Sequence, residues 1–197
     1  MKLKIGPLTN LQDARYGAAV GMSLMSFSLA RGDNSKLSGA TVWNMSQWLE
    51  GPALVLDMNA ESLDELDGLG VDPRYLSFPL EDYELALFNY APAIIVLADS
   101  SLAPARIAEM VMEAKAAGHE LKVEIELKAD ESPQQFAHVA PHVLLHFASL
   151  ELADQFIAQP LFEPYGISFG KEAEEEPEVL DYEKLDDIAA RFTDVHL

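Results

Sequence analysis

Not one of the 197 residues is a cysteine. Disulfides, thiolate metal sites and a cysteine nucleophile or base are therefore excluded, and the composition fits a reducing compartment such as the cytosol. No apolar run approaches the ~20 residues that cross a bilayer. The opening MKLKIGPLTN lacks the apolar core of a secretory signal, so a cytoplasmic protein is expected. Basic residues are scarce as well: 13 Lys and Arg stand against 33 Asp and Glu, a formal charge of −20. A surface of that sign repels phosphate backbones and anionic lipid, so neither nucleic acid nor membrane is an expected partner. An anionic small molecule would need local positive groups to offset the same field. The ordinary use of such a charge is solubility.

What is present is globular. Hydrophobic residues make up 49% and charged ones 23%, enough apolar surface for one domain with a sizeable core. Short β-like runs alternate with helical patterns from end to end. Leu3–Thr9 reads as the first strand, followed by a helix from the N-cap Asn10 to Val20, stopped by Gly21. Met22–Ala30 is the second strand, with a helix around Thr41–Glu50; Ala53–Asn59 is the third, with a short helical stretch at Ser62–Leu69. Tyr75–Leu80 is the fourth, with a helix over Glu81–Tyr90, and Ala93–Ser100 is the clearest strand of all. Pro104 opens the next helix and Gly118 closes it. LKVEIELKAD, VLLHFASL and Tyr165–Phe169 complete eight strands, and Asp181–Phe192 is the last helix.

Eight such units in about 200 residues mean a minimal (β/α)8 barrel, taken as a single domain over residues 1–197, or an eight-unit open sheet. The sixth strand leans towards the barrel. Lys122, Glu124, Glu126 and Lys128 share one face; Val123, Ile125 and Leu127 share the other. An open doubly wound sheet buries both faces under helices and tolerates a charged stripe badly, except at an edge strand. A closed barrel can turn the charged face into its lumen and set Glu126 near the catalytic rim. Lys2 and Lys4 alternate with Leu3 and Ile5 on the first strand in the same way.

The N-terminal KLKIGPLTNLQDA resembles the opening of phosphoribosylanthranilate isomerases, which reads K-x-K-I-C-G-[LI]-T, then Asn and an Asp-Ala pair. The C-terminal GISFGKEAEEEPEVLDYEKL resembles that family's D-x-S-S-G-V-E…P-G-x-K-D…K-I ending. The two stretches cover about 35 residues, in order and nearly 150 apart; between them only the strand–helix rhythm matches. The resemblance implies a (β/α)8 barrel and an Amadori rearrangement of tryptophan biosynthesis, in which an aminoaldose ring opens and a proton moves. It implies a Cys general base on the first strand, an Asp general acid ending the sixth, and a substrate phosphate held by backbone amides after strands seven and eight.

Carried over residue by residue, the chemistry is mostly replaced. The Cys position is Gly6 and the next Gly is Pro7; the acid position is Glu126. A His-Gly pair after the fourth strand corresponds to Phe78 and Pro79, and the A-G-G-L phosphate loop to Phe147, Ala148, Ser149 and Leu150. A glycine-rich loop after strand six has become ADESPQQF, and a substrate-loop Arg is Lys36. Of the anion-holding parts Ser149, Ser168, Gly170 and Lys171 remain as phosphate-binding candidates. Glycine has no titratable group, and losing a general base costs about two to four orders of magnitude in rate. Losing the loop glycines removes close backbone approach to an anion.

Three readings follow. The first is a degenerate barrel that has lost the ancestral isomerisation and serves binding or assembly, or acts on an unidentified small molecule. The second is a working isomerase for a small anionic sugar-phosphate, with Glu126 as acid and Asp57 or His146 as a rebuilt base. The third is metal-assisted chemistry by the strand-end group Asp57, Asp99, Glu126, Lys128, His146 and Ser168, which parity places at the C-terminal mouth. Against all three stands the bland account, in which strand-end carboxylates cap helices or pair with interior lysines. His138, His142 and His146 are four apart, but Pro141 interrupts the helix and His146 belongs to a strand, so they make no metal face. No cofactor is expected. Trp43 and Trp48, with Met45 between, are expected to pack the second helix on the barrel, with a partner patch as the alternative. The acidic run Lys171–Glu178 and the group Asp64, Glu65 and Asp67 read as solvated faces. A barrel this small often forms a homodimer, though no stripe in the sequence marks an interface.

Overall fold

Aliphatic and aromatic runs of four to eight residues become the strands, and each hands over to a helical or turn segment that returns the chain to the other end of the barrel. The computed structural model describes residues 1–128, 130–147, 149–170 and 181–196, with the side chains of 194–196 left aside. The strands are β1 (Lys2–Ile5), β2 (Leu24–Ser28), β3 (Ala53–Asp57), β4 (Tyr75–Pro79), β5 (Ala93–Asp99), β6 (Glu120–Leu127), β7 (Val143–Phe147) and β8 (Gly166–Phe169). Each pairs in parallel with its neighbours in sequence, and β8 returns to β1 with Lys2 opposite Gly166 and Ile5 opposite Phe169. The sheet is a closed eight-stranded barrel. Closure removes the open-sheet alternative, because no strand is left with an unpaired edge.

Four crossings carry α-helices, α1 (Leu11–Ala19), α2 (Gly39–Ser46), α3 (Pro104–Ala116) and α4 (Leu150–Ala158), and α5 (Tyr182–His196) follows the last strand. Asn10 caps α1 by accepting from Asp13 N at 2.9 Å, and Ser38 caps α2 by accepting from Thr41 N at 3.1 Å. The remaining crossings are tighter than the sequence suggests. The stretch expected as a helix over 81–90 is two 3₁₀ turns, Leu80–Asp82 and Leu85–Asn89, and 3₁₀ segments also span Ala60–Leu66 and Pro133–His142. Pro133 and Pro141 supply no amide hydrogen to an α-helical ladder. In the Ala60–Leu66 segment Glu61 lies three and four residues from Asp64 and Glu65, spacings at which like charges oppose an α-helix.

The apolar residues divide by strand parity into two cores. Leu3, Ile5, Val123, Ile125, Leu145 and Ile167 face outward into the layer beneath the helices, while Leu24, Val55, Tyr75, Ala93, Ile95 and Leu144 fill the lumen. On α2 the buried residues are Val42 and Met45. The expectation that both tryptophans pack this helix on the barrel is corrected: Trp43 is 43% and Trp48 67% exposed. Positions 42 and 45 occupy one face, and Trp43 sits a further ~100° around the helix.

The charged face of β6 does point inward, and it serves two ends of the barrel differently. Towards the N-terminal end, Lys122 is buried, donates to Pro141 O at 3.1 Å and lies 4.0 Å from the centre of the Tyr165 ring. Tyr75 Oη meets Tyr165 Oη at 2.7 Å and Glu120 Oε1 at 3.0 Å, completing a polar plug below the apolar lumen. Two residues further on, Glu124 is buried in a second layer above the apolar one, and Glu126 emerges at the C-terminal mouth.

The barrel is sealed where its ends meet. Tyr182 Oη, on α5, donates to Asp13 Oδ1 at 2.7 Å on α1, and Tyr16 Oη donates to Tyr182 O at 2.8 Å. The two tyrosine rings lie 4.2 Å apart. The Asn10 and Asp13 that carry the N-terminal resemblance are thus a helix cap and a clasp to the C-terminal stretch.

Candidate active site

At the C-terminal mouth the strand ends enclose a cleft of about 780 Å³, lined by Lys4, Gly6, Asp57, Glu124, Glu126 and His146 together with residues of the loops after β4 and β5. This is the end at which a barrel's loops gather, so function is sought here. The cleft brings together all three residues that the sequence nominated for catalysis: Asp57 from β3, Glu126 from β6 and His146 from β7. Glu126 and His146 stand side by side in the β6–β7 register, and Glu126 and Asp99 in the β5–β6 register.

Beneath the cleft lies a network whose central pair, Lys4 and Glu124, was not among the sequence's site candidates. Lys4 Nζ is 2.7 Å from Glu124 Oε2, both side chains almost wholly buried. Ser168 Oγ donates to the other carboxylate oxygen at 2.6 Å, and His146 Nδ1 lies 3.2 Å from Ser168 Oγ and 3.4 Å from Glu124 Oε1. Burial alone would raise the Glu124 pKa; Lys4 and His146 overcome it and hold the carboxyl well below its usual range. Burial likewise works against the Lys4 ammonium, and the charges of Glu124 and Asp57 outweigh it, leaving the pKa raised. The signal that could have found this pair was on the page as Lys4 and Glu124 on inward faces. Nothing in the one-dimensional pattern says that β1 and β6 point at each other across the lumen.

Asp57 is the counterpart on the opposite wall, four strands from β7. Its Oδ1 is shielded from solvent beside the hydroxyls of Ser26 and Ser77. Burial raises the Asp57 pKa; the charge of Lys4 and the nearby serines pull against that, and the net shift is upward.

The position corresponding to the family's Cys is occupied in a way that leaves no room for a side chain. Gly6 has φ +140°, and a Cβ built there would fall 2.3 Å from Ser26 Oγ and 2.6 Å from Ser26 O. The phosphate candidates divide. Ser168 is fully buried, with its hydroxyl committed to Glu124, so it presents no side chain to a ligand at the rim. Ser149 caps α4, accepting from Leu152 N at 3.4 Å, with Glu151 in the first turn of that helix. At Gly170 an added Cβ would make ordinary van der Waals contact, with Gly6 O at 3.5 Å and His146 Cε1 at 3.6 Å. Lys171 and the acidic run 171–178 lie outside the described residues, as does Ala148. Lys36, at the substrate-loop Arg position, is paired with Glu65 at 2.8 Å. Asp99 accepts from Ser101 N at 2.7 Å, and hydrogen bonds from the side chain and backbone of Ser101 lower its pKa. Among the described residues no three His, Asp or Glu side chains are grouped to hold a metal ion, which leaves the metal-assisted reading without a ligand set.

The barrel superposes on phosphoribosyl anthranilate isomerase from Thermus thermophilus with a TM-score of 0.73 and 20% identity, over 99% of this chain and 100% of that one. The fold is that of the phosphoribosylanthranilate isomerases. Mutually generated monomers of the dimeric isomerase from Thermotoga maritima match at TM-score 0.73 and 12% identity, over 98% and 99% of the two chains. The isomerase in complex with reduced 1-(o-carboxyphenylamino)-1-deoxyribulose 5-phosphate matches at 0.73 and 13%, with the same coverage. No protein-family model matches the chain, and no curated protein does. At these identities the isomerase likeness is one of fold, and it agrees with the resemblance at the two ends of the sequence. No helix among the described residues is long and apolar enough to cross a membrane.

Proposed function

We propose that this isomerase-like barrel no longer carries out the Amadori isomerisation and instead handles another small molecule by acid–base chemistry in the same mouth. Gly6 carries the proposal. The resemblance puts the general base there, and the backbone conformation and the Ser26 wall admit no side chain at that point. The cleft itself, with Asp57, Glu126 and His146 on its walls, speaks against a merely structural barrel. Its charge points to the ligand class. Lys4 and Glu124 offset each other, leaving Glu81, Asp99 and Glu126 against Arg106, whose guanidinium also meets Glu109 at 3.2 Å. A neutral or cationic molecule suits such a lining better than a phosphate ester.

A second reading keeps the isomerase reaction, with Glu126 as general acid, Asp57 or His146 as the rebuilt base, and the phosphate near Ser149, Ser168, Gly170 and Lys171. It is favoured by the placement of Glu126 and His146 side by side at the mouth. Expression in a tryptophan auxotroph lacking the isomerase separates the two, with purified protein assayed on N-(5′-phosphoribosyl)anthranilate. No growth and no turnover from folded protein is the expected result. Growth that disappears with Glu126→Ala would overturn the proposal in favour of the second reading. Assembly into a homodimer, seen in the Thermotoga relative, is a further expectation that sedimentation would check.

A further inference from the structure

The hydrogen-bond inventory around His146 assigns the proton on its ring. Ser168 has one hydroxyl hydrogen, and it is spent on Glu124 Oε1 at 2.6 Å, because a carboxylate can only accept. Glu124 is that carboxylate, held ionised by the Lys4 ammonium at 2.7 Å. The two atoms within reach of His146 Nδ1 are therefore both acceptors: the Ser168 Oγ lone pair at 3.2 Å and Glu124 Oε1 at 3.4 Å. Nδ1 must be the donor. A neutral imidazole has one N–H, so Nε2 on the other edge of the ring is left bare.

We infer that His146 is the general base of the cleft, with Lys4, Glu124 and Ser168 as positioning residues that fix its tautomer and leave Nε2 as the proton acceptor. The inference deepens the acid–base reading of the mouth and rests on it. The arrangement is an oriented base in the general sense: a carboxylate holds the ring nitrogen that does no chemistry, and the free nitrogen is the one that reacts. His146 lines the cleft with 27% of its side chain exposed, while every group behind it is buried. Asp57 lines the same cleft from the facing wall. A ligand between them would give a proton from carbon or a heteroatom to Nε2, the freed electron pair staying on the ligand. As charge gathers on its oxygen or nitrogen, the Asp57 carboxyl delivers a proton there. The imidazolium and the Asp57 carboxylate so formed return to their starting states when the two transfers run in reverse at neighbouring atoms. No oxidant or co-reactant enters. Nor does the family resemblance supply this role, since the position it assigns to a base is Gly6.

The test is a two-bond ¹H–¹⁵N correlation spectrum of the full chain labelled with [¹⁵N]histidine, at alkaline pH where imidazoles are neutral. The His146 signals are identified by their loss in His146→Gln. The expected result is a single Nδ1–H tautomer, which free histidine disfavours. A predominant Nε2–H form, or an even mixture, in the unsubstituted protein would overturn the inference. Glu124→Gln is expected to abolish the Nδ1–H pattern in favour of Nε2–H or exchange averaging, because an amide can turn its own N–H towards Nδ1. A pattern unchanged in folded Glu124→Gln would remove Glu124 from the role. The spectrum reads protein alone, so the inference and the proposed function can fail separately: turnover of the isomerase substrate sinks the one, the wrong tautomer the other.

Discussion

Gly6 is the residue on which most depends. Its φ of +140° suits glycine, and a Cβ would overlap both the side chain and the backbone of Ser26. Gly6→Cys is therefore expected to lower stability by about 1–3 kcal/mol, the usual cost of forcing atoms into a packed site, and to restore no isomerase activity. Urea unfolding with the assay in parallel checks both halves. The carboxyls of Glu124 and Asp57 should respond to pH in opposite senses. Glu124 has a depressed pKa when folded, so its contribution is present above the unfolded carboxylate value and is lost as pH falls through the folded one. Breaking its pair with Lys4 by Glu124→Gln should cost about 3–5 kcal/mol at neutral pH, and less as acid removes the charge in the wild type too. Asp57 has a raised pKa, so its contribution is present below the unfolded value and is lost as pH rises through the folded one. Asp57→Asn should accordingly gain on the wild type between acid and neutral pH. Thermal unfolding of both variants across that range would show the crossed trends; parallel trends would refute them.

Among the elements, the pair α1 and α5 closes what the barrel strands leave open at its seam. The Tyr182 hydroxyl reaches Asp13 across nearly the whole length of the chain, and its hydrogen bond to that carboxylate is the first cause of its raised pKa. Tyr182→Phe keeps the ring contact with Tyr16 and removes the hydrogen bond, for an expected loss of about 1–2 kcal/mol, measurable as a lower denaturation midpoint. The helices themselves show how far local pattern reaches. Asn10 and Pro104 mark starts correctly because both act locally, Asn10 by accepting from an amide three residues on and Pro104 by fitting the first turn. The 81–90 segment failed as a helix because its apolar residues serve a short crossing in two 3₁₀ turns, where Leu87 and Phe88 are buried and Leu85 is not. Trp43 and Trp48 failed for a related reason: Val42 and Met45 already occupy the inward face.

Across the whole molecule, 20 excess negative charges repel one another. Salt screens exposed charges beyond a Debye length of ~8–10 Å near physiological ionic strength, so the melting temperature should rise as sodium chloride increases from a few millimolar to that level. A fall would mean that attractive pairs such as Arg31–Asp64 and Lys184–Glu151 outweigh the net repulsion. The same field bears on function, since a ligand approaching the mouth meets more carboxylates than cations among the described lining residues.

The sequence by itself determined the eight strands and their alternation with connecting segments, the inward charged stripe of β6, the absence of any thiol chemistry, and the strand ends on which Asp57, Glu126 and His146 sit. These are legible because alternation, capping and composition act over a few residues. The tertiary structure alone decided that Lys4 meets Glu124 across the lumen, that Ser168 is spent inside and not at the rim, and that His146 turns Nδ1 inward. Those facts depend on which strand closes against which, a relation between residues as far apart as 4 and 168 that no local period records.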